Sequence, residues 1–364
     1  MARIASLDAS FDLEVAVGQL KDVTVMITAA GNVFMPGTTA CLINNGERKL
    51  RLVGVDMNND PSILQMCDAF YPVPRGNDPG YIDALLQICK KEHVDVILPI
   101  MSVELGALAK NRDRFEAIGT RVAVSDVEAL EVANDKIKLF QYMRAHGIPC
   151  AEYSTVYCLD DLRSAVTALG YPNKRVCIKT TNGSGSRGFR IMDEVKSRFD
   201  MYMNEKPNSS YIRLCEMERI LGETDEFPEL MVMEYLPGNE YTIDLLADRG
   251  DVLYSCCRKS QRMENGIMLN SVVVENSDAS EICRRITEGL RLDGNIGFDI
   301  LEREDGTPIV AECNPRITAG IPVFRLAGVN LPYLNVKRLL GEALPKCELR
   351  IGTIVTRRWM EMAV

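Results

Sequence analysis

Glu312 and Asn314 stand two residues apart at the end of the apolar run Ile309-Val310-Ala311, so in an extended chain their side chains share one face. A turn over residues 304–307 joins this strand to an earlier one, residues 298–301, which carries Asp299. Such a hairpin brings Asp299 beside Glu312. Two carboxylates and an amide oxygen on one face make a hard-oxygen set suited to Mg2+, with phosphate oxygens completing the shell. An ordinary hairpin with polar ends is the plainer reading. Against it, a glutamate that continues an apolar run is costly to bury without a partner.

A second group is basic. Lys179 closes the strand 176–178 and leads into a loop holding Gly183, Ser184, Gly185, Ser186, Arg187 and Gly188. Glycines let main-chain N–H groups turn toward an anion without Cβ clashes, the hydroxyls add donors, and the lysine supplies a point charge for phosphate. The lysine precedes the glycines, so this is not a Walker A loop, and a flexible connector would read similarly. A third segment runs through the apolar strand 231–233 to Glu234, Tyr235 and Leu236, turns at Pro237-Gly238, and returns with Glu240, Thr242 and Asp244 alternating onto one face. That face could be plain exposed sheet. A crossing between two lobes, however, leaves main-chain groups for a purine edge and places Glu240 to accept from ribose hydroxyls.

The elements that must position these groups follow from the pattern. In the first third, β-rich runs at 23–28, 52–56, 94–99 and 122–124 alternate with helical stretches such as 81–92, which predicts a doubly wound parallel sheet. The turn from Gly31 to Gly37 after the first run is not G-x-G-x-x-G and is weak support for a nicotinamide cofactor. A helix over 135–146 is stopped by Gly147 and Pro149. From 231 onward strands dominate, at 231–235, 241–247, 252–257, 268–274, 298–301 and 308–313, with helices at 280–290 and 331–340.

In this order, Asp135-Lys136 opening a helix, Lys179 before the glycine-rich loop, Glu234, Leu236, Gly238 and Glu240, Asp299, and Glu312-Cys313-Asn314-Pro315-Arg316 resemble the ATP-grasp superfamily, most closely its carbamoyl-phosphate synthetase-like branch. The resemblance spans residues 23–342. It implies an N-terminal α/β domain over 23–130 after an extension of residues 1–22. Two α+β lobes, 131–235 and 236–364, would then clasp ATP. It further implies that Lys136 and Lys179 contact the ATP phosphates, that Gly183, Ser184, Gly185, Ser186 and Gly188 close over them, that Glu234 and Leu236 frame the adenine, and that Glu240 holds the ribose. Asp299, Glu312 and Asn314 would bind one or two Mg2+ ions, with Mn2+ able to substitute. Arg316 would neutralise the transferring phosphoryl group, and Arg258 would contact substrate or phosphate.

The implied activity is phosphorylation of a small-molecule carboxylate by ATP, followed by attack of an amine on the acyl phosphate. A large subunit of carbamoyl-phosphate synthetase holds two such modules and this chain one, which turns the expectation away from carbamoyl phosphate. Gly297 stands where part of that branch has a glutamine ligand, and Asp299 takes the role, which favours carboxylate–amine ligation. The rivals are an ATP-grasp carboxylase or kinase, a non-catalytic nucleotide-binding protein, and a nicotinamide enzyme. Specificity is expected in the loops at 31–38 and 101–104 and around Arg258 and Gly320.

Composition agrees. The 364 residues are 46% hydrophobic with a net charge of −9, ample for a core and a poor match for non-specific binding to nucleic acid or anionic membranes. No apolar run approaches the ~20 residues of a membrane span. The first twenty residues carry Asp8, Asp12 and Glu14 and lack a signal-type core, so a cytoplasmic protein is expected, with small-molecule partners and room for a homodimer. His93 and His146 fall at helix ends, which leaves no catalytic histidine. The 12 cysteines show no metal spacing and are expected to be buried thiols.

Overall fold

The computed structural model describes residues 20–181, 188–205, 209–224, 227–264 and 267–358. Its first sheet is parallel throughout, in the order Ala69–Pro72, Leu50–Asp56, Val23–Ile27, Val96–Leu98, Arg121–Val122. The chain winds outward in both directions from Val23–Ile27, as the alternation predicts. Ala69–Pro72 is an addition: the run is too short and too mixed to announce itself, and it pairs only at the edge. The expected strand at 122–124 contracts to Arg121–Val122. The helix Tyr81–Glu92 has the expected bounds, buries Ile82, Leu85, Leu86 and Cys89, and ends where His93 turns left-handed at φ 51°. Reversal of strand order beside Val23–Ile27 opens a crevice at its C-terminal end, and loops 28–34 and 99–102 surround that crevice.

The second sheet has the order Tyr153–Val156, Leu230–Glu234, Val176–Thr180, Arg190–Met192, Tyr211–Ile212. The helix Lys136–Ala145 leads into it. Asp135 caps that helix by accepting from the N–H groups of Ile137 and Lys138, and Gly147 ends it at φ 60°. The third sheet is antiparallel, in the order Pro308–Asn314, Gly294–Glu302, Glu240–Asp248, Asp251–Glu264, Ile267–Val274, Ile354–Thr356.

One core joins the first and third sheets. Val25, Ile27 and Leu52 pack in the same cluster as Leu246, Cys256, Val273, Ile321 and Phe324. That packing holds the N-terminal loops over one face of the third sheet. A separate core ties the helix Lys136–Ala145, through Leu139, Phe140 and Met143, to Met231 and Met233 of the second sheet and to Phe298 and Ile300 of the third. Eight cysteines, Cys41, Cys67, Cys89, Cys177, Cys256, Cys257, Cys283 and Cys313, are buried, but Cys158 and Cys215 are exposed, a departure from the expected burial. No helix of the described residues is long and apolar enough to cross a membrane.

Candidate active site

The register of the third sheet builds the floor of the site. Glu312 lies opposite Asp299, Asp299 opposite Thr242, and Thr242 opposite Arg258, so four strands present these side chains in one row. In the next row Asn314 lies opposite Gly297 and Gly297 opposite Asp244. Above the floor is a cavity of about 690 Å³, lined by Lys136, Lys179, Leu236, Glu240, Asp299, Glu312, Asn314 and Arg316 among others. The second and third sheets contribute to it together with loops and a helix start that follow strands of the first, and the size suits a nucleotide with a small substrate.

Asp299 accepts from the Thr242 hydroxyl at 3.2 Å and from the Asn314 amide at 3.3 Å. Arg316 donates to Asn314 Oδ1 at 2.9 Å and, through Nε, to Ser102 Oγ at 3.1 Å. Lys136 Nζ stands 3.4 Å from Glu312 Oε1, and Lys179 Nζ donates to the Ala311 carbonyl at 3.4 Å. Burial, and then the Glu312 charge, push the Asp299 carboxyl above its ordinary value. Two acids side by side, with an amide next to them, are the donor set that a divalent cation would relieve. Among the described residues no three acidic, histidine or cysteine side chains converge to hold a metal unaided. A cation here would draw further ligands from water or phosphate oxygens, which fits Mg2+ bound together with a triphosphate.

Burial and then the neighbouring Lys136 charge push the Lys179 ammonium down to about 8. A half-buried cation facing a cavity in this way is prepared for an anion. Glu240 is raised by burial and by Asp299. Asp244 is fully buried, accepts from Thr318 at 2.7 Å, and is raised by burial to about 6.

The Glu234 carboxylate is held by Arg303, with Nη2 at 2.7 Å, and by the Glu152 N–H at 3.0 Å. Leu236 is buried against the cavity. Gly183, Ser184, Gly185 and Ser186 lie outside the described residues. Gly188 has φ 75°, and a Cβ there would sit 2.7 Å from Thr180 Cγ2, so glycine is required. Arg258 is buried, lines the cavity, and fits closely against Gly320, where a Cβ would lie 2.2 Å from its Nη2.

The expected specificity loops do meet here, through Asn32, Phe34, Met35, Thr38 and Met101. Sequence reasoning placed Ser102 in the 101–104 loop but not against Arg316, and it missed Thr318 and Arg357. Neither Ser102 nor Thr318 carries a motif, and Arg357 follows Ile354–Thr356, a strand whose place at the sheet edge no local pattern reveals.

Residues 226–360 match the family model described as "ATP-grasp in the biosynthetic pathway with Ter operon", and residues 26–123 match the PylC-like N-terminal domain. The chain thus carries an ATP-grasp domain and a PylC-like N-terminal domain. It is 24% identical over 287 residues to the carbamoyl-phosphate synthase of Methanobrevibacter smithii, covering 74% of itself and 69% of that protein. It is 22% identical over 331 residues to the arginine-specific large chain of carbamoyl phosphate synthase from Halalkalibacterium halodurans, with 85% of its own length covered but only 28% of the relative's. The chain thus spans about a quarter of that large chain. Its fold is shared with N5-carboxyaminoimidazole synthetase from Staphylococcus aureus (TM-score 0.65, 16% identity, 92% of this chain and 82% of that one). It is shared too with the L-amino acid ligase from Bacillus licheniformis (TM-score 0.61, 15% identity, 88% and 75%).

Proposed function

We propose that this ATP-grasp protein is an ADP-forming ligase that activates a small-molecule carboxylate as an acyl phosphate and couples it to an amine. The observation that carries the reading is the convergence of the Asp299–Glu312–Asn314 cluster with Lys136, Lys179 and Arg316 on one cavity. In this reading residues 23–130 cover the substrate end, and the lobes 131–235 and 236–364 close on the nucleotide.

Lys136 and Lys179 hold the triphosphate. Asp299, Glu312 and Asn314 hold one or two Mg2+ ions, for which Mn2+ can substitute, and the metal supplies charge neutralisation at the phosphates. A carboxylate oxygen attacks the γ-phosphorus, the bond to the β-phosphate oxygen breaks, and ADP leaves. Arg316, fixed between Asn314 and Ser102, neutralises charge on the transferring group. The amine then attacks the acyl carbon, phosphate departs, and the amine proton passes to phosphate or water. No histidine is required, because the protein contributes position and charge rather than a general base. The partners are small molecules, and the reaction is placed in the cytoplasm.

A screen of carboxylic acids paired with amines, scored by ADP release and product mass, tests the reading. An amide product supports it. A carboxylated product or a stable phosphoester would replace it with a carboxylase or a kinase.

A further inference from the structure

Two arginines meet in the cleft, Arg258 two strands along the row from Asp299 and Arg357 beside it. Arg258 is only 6% exposed and lines the cavity, yet its Nε and Nη1 have no hydrogen-bond partner. Its guanidinium is pressed against Gly320, where a Cβ would lie 2.2–2.7 Å from Nη2, Cζ and Nε. Arg357 reaches the adjoining residue, donating to the Ala319 carbonyl at 2.6 Å, and its guanidinium lies 5.2 Å from the ring centre of Phe34. Adjacent main-chain positions therefore receive two guanidinium groups, and among the described residues neither makes an ion pair within 4 Å. Glu240, Asp244 and Asp299 lie near enough to offset part of the Arg258 charge. Its buried Nε and Nη1 nevertheless remain unused donors beside the half-buried Arg357, and a bound anion would satisfy them.

The surroundings define what carries the anion. Phe34, Met35, Met101 and Met268 line the same cavity. Thioether side chains and an aromatic ring accept apolar groups of varied shape. Position argues that this anion is not the carboxylate being phosphorylated. Arg258 sits on the fourth strand of the row that begins at Glu312. Three strand spacings of about 4.8 Å put roughly 14 Å between their backbones.

We propose that Arg258 and Arg357 form a second anion subsite that takes a carboxylate left untouched by the reaction, on a substrate whose remaining surface is apolar. The subsite builds on the ligase reading, since it divides one substrate between the reacting centre and a remote clamp. Two sources share this chemistry: the carboxylate of an amino acid serving as the amine, and the distal carboxylate of a diacid serving as the donor. Planar two-point contacts to carboxylate are what a guanidinium fork provides and a lysine does not.

Isothermal titration on the full chain loaded with Mg2+ and a non-hydrolysable ATP analogue tests the subsite in two arms. In one arm leucine, methionine and phenylalanine are compared with their amides. In the other, glutarate and adipate are compared with their monoamides. In at least one arm the form with the free carboxylate binds about tenfold or more tighter, as expected for a charge-assisted hydrogen-bond pair. Arg357→Met removes that preference, and Arg258→Lys, which keeps charge but not the fork, weakens it. No preference in either arm, or a preference that survives Arg357→Met, overturns the subsite. Failure of the wild-type protein to bind the Mg2+–nucleotide complex would instead count against the ligase reading itself.

Discussion

Lys179 gives nucleotide binding a pH dependence whose sign and size follow from its position. Burial and Lys136 bring its ammonium from 10.5 to about 8. That difference disfavours the charged form in the empty cleft by about 3 kcal/mol. A bound triphosphate supplies the missing counter-charge and restores the ammonium. Above pH 8, binding must therefore take up a proton, and affinity falls as pH rises. With the free-state value near 8, the dissociation constant for the Mg2+ complex of a non-hydrolysable ATP analogue should rise about tenfold between pH 7 and pH 9. Proton uptake at pH 9, read by calorimetry in buffers of different ionisation enthalpy, should approach about 0.9 per nucleotide. Lys179→Met should bind more weakly and lose the dependence over this range. A flat affinity profile from pH 7 to 9 without proton uptake would refute the assignment of Lys179 to the phosphates. The same group acts oppositely on ligand-free stability. Its folded-state value lies below the unfolded one, so the unfolded chain binds more protons between about pH 8 and 10.5, and this lysine makes stability rise with pH across that window.

Glu312→Gln keeps size and hydrogen bonding but removes the charge facing Asp299, and turnover with the cognate pair should fall by more than about 10²-fold. Glu302→Gln, whose carboxylate holds Asn239 instead of lining the cavity, should cost little in the same assay. Ser102→Ala deletes the acceptor for Arg316 Nε, worth about 1.5–3 kcal/mol for a bond to a charged group. It should lower kcat about tenfold with the KM for ATP unchanged, and Ser102→Thr should recover part of the loss. Gly320→Ala displaces the Arg258 guanidinium into the cavity it lines, costing no more than about 1 kcal/mol in denaturant unfolding. Gly106→Ala, inside the helix Ser102–Lys110 with open space around it, should instead stabilise by about 0.5–1 kcal/mol.

The sequence makes part of this site readable because its chemistry is local. Glu312 and Asn314 share a strand face through two-residue spacing, and the hairpin carrying Asp299 is marked by Glu-Asp-Gly-Thr, so the cluster can be assembled from neighbours in the chain. Asp135 announces the helix that brings Lys136 to Glu312. What stays hidden depends on contacts across long separations. Ser102 reaches Arg316 across 214 positions, and Arg357 reaches Ala319 only because Ile354–Thr356 adds to the sheet edge beside Ile267–Val274. Glu234 illustrates the same limit, since its pairing with Arg303, distant in sequence, leaves no mark on the local pattern. The strand Ala69–Pro72 fails for a local reason: four residues without alternation carry too little signal.

The central claim is that the carboxylate itself takes the γ-phosphoryl group. Once an acid and amine pair is found by ADP release, the acid is labelled with 18O in both carboxyl oxygens and the released phosphate is analysed by mass. The account predicts one labelled oxygen in each phosphate, with ADP formed in equal amount. Unlabelled phosphate, or AMP with pyrophosphate, would contradict it.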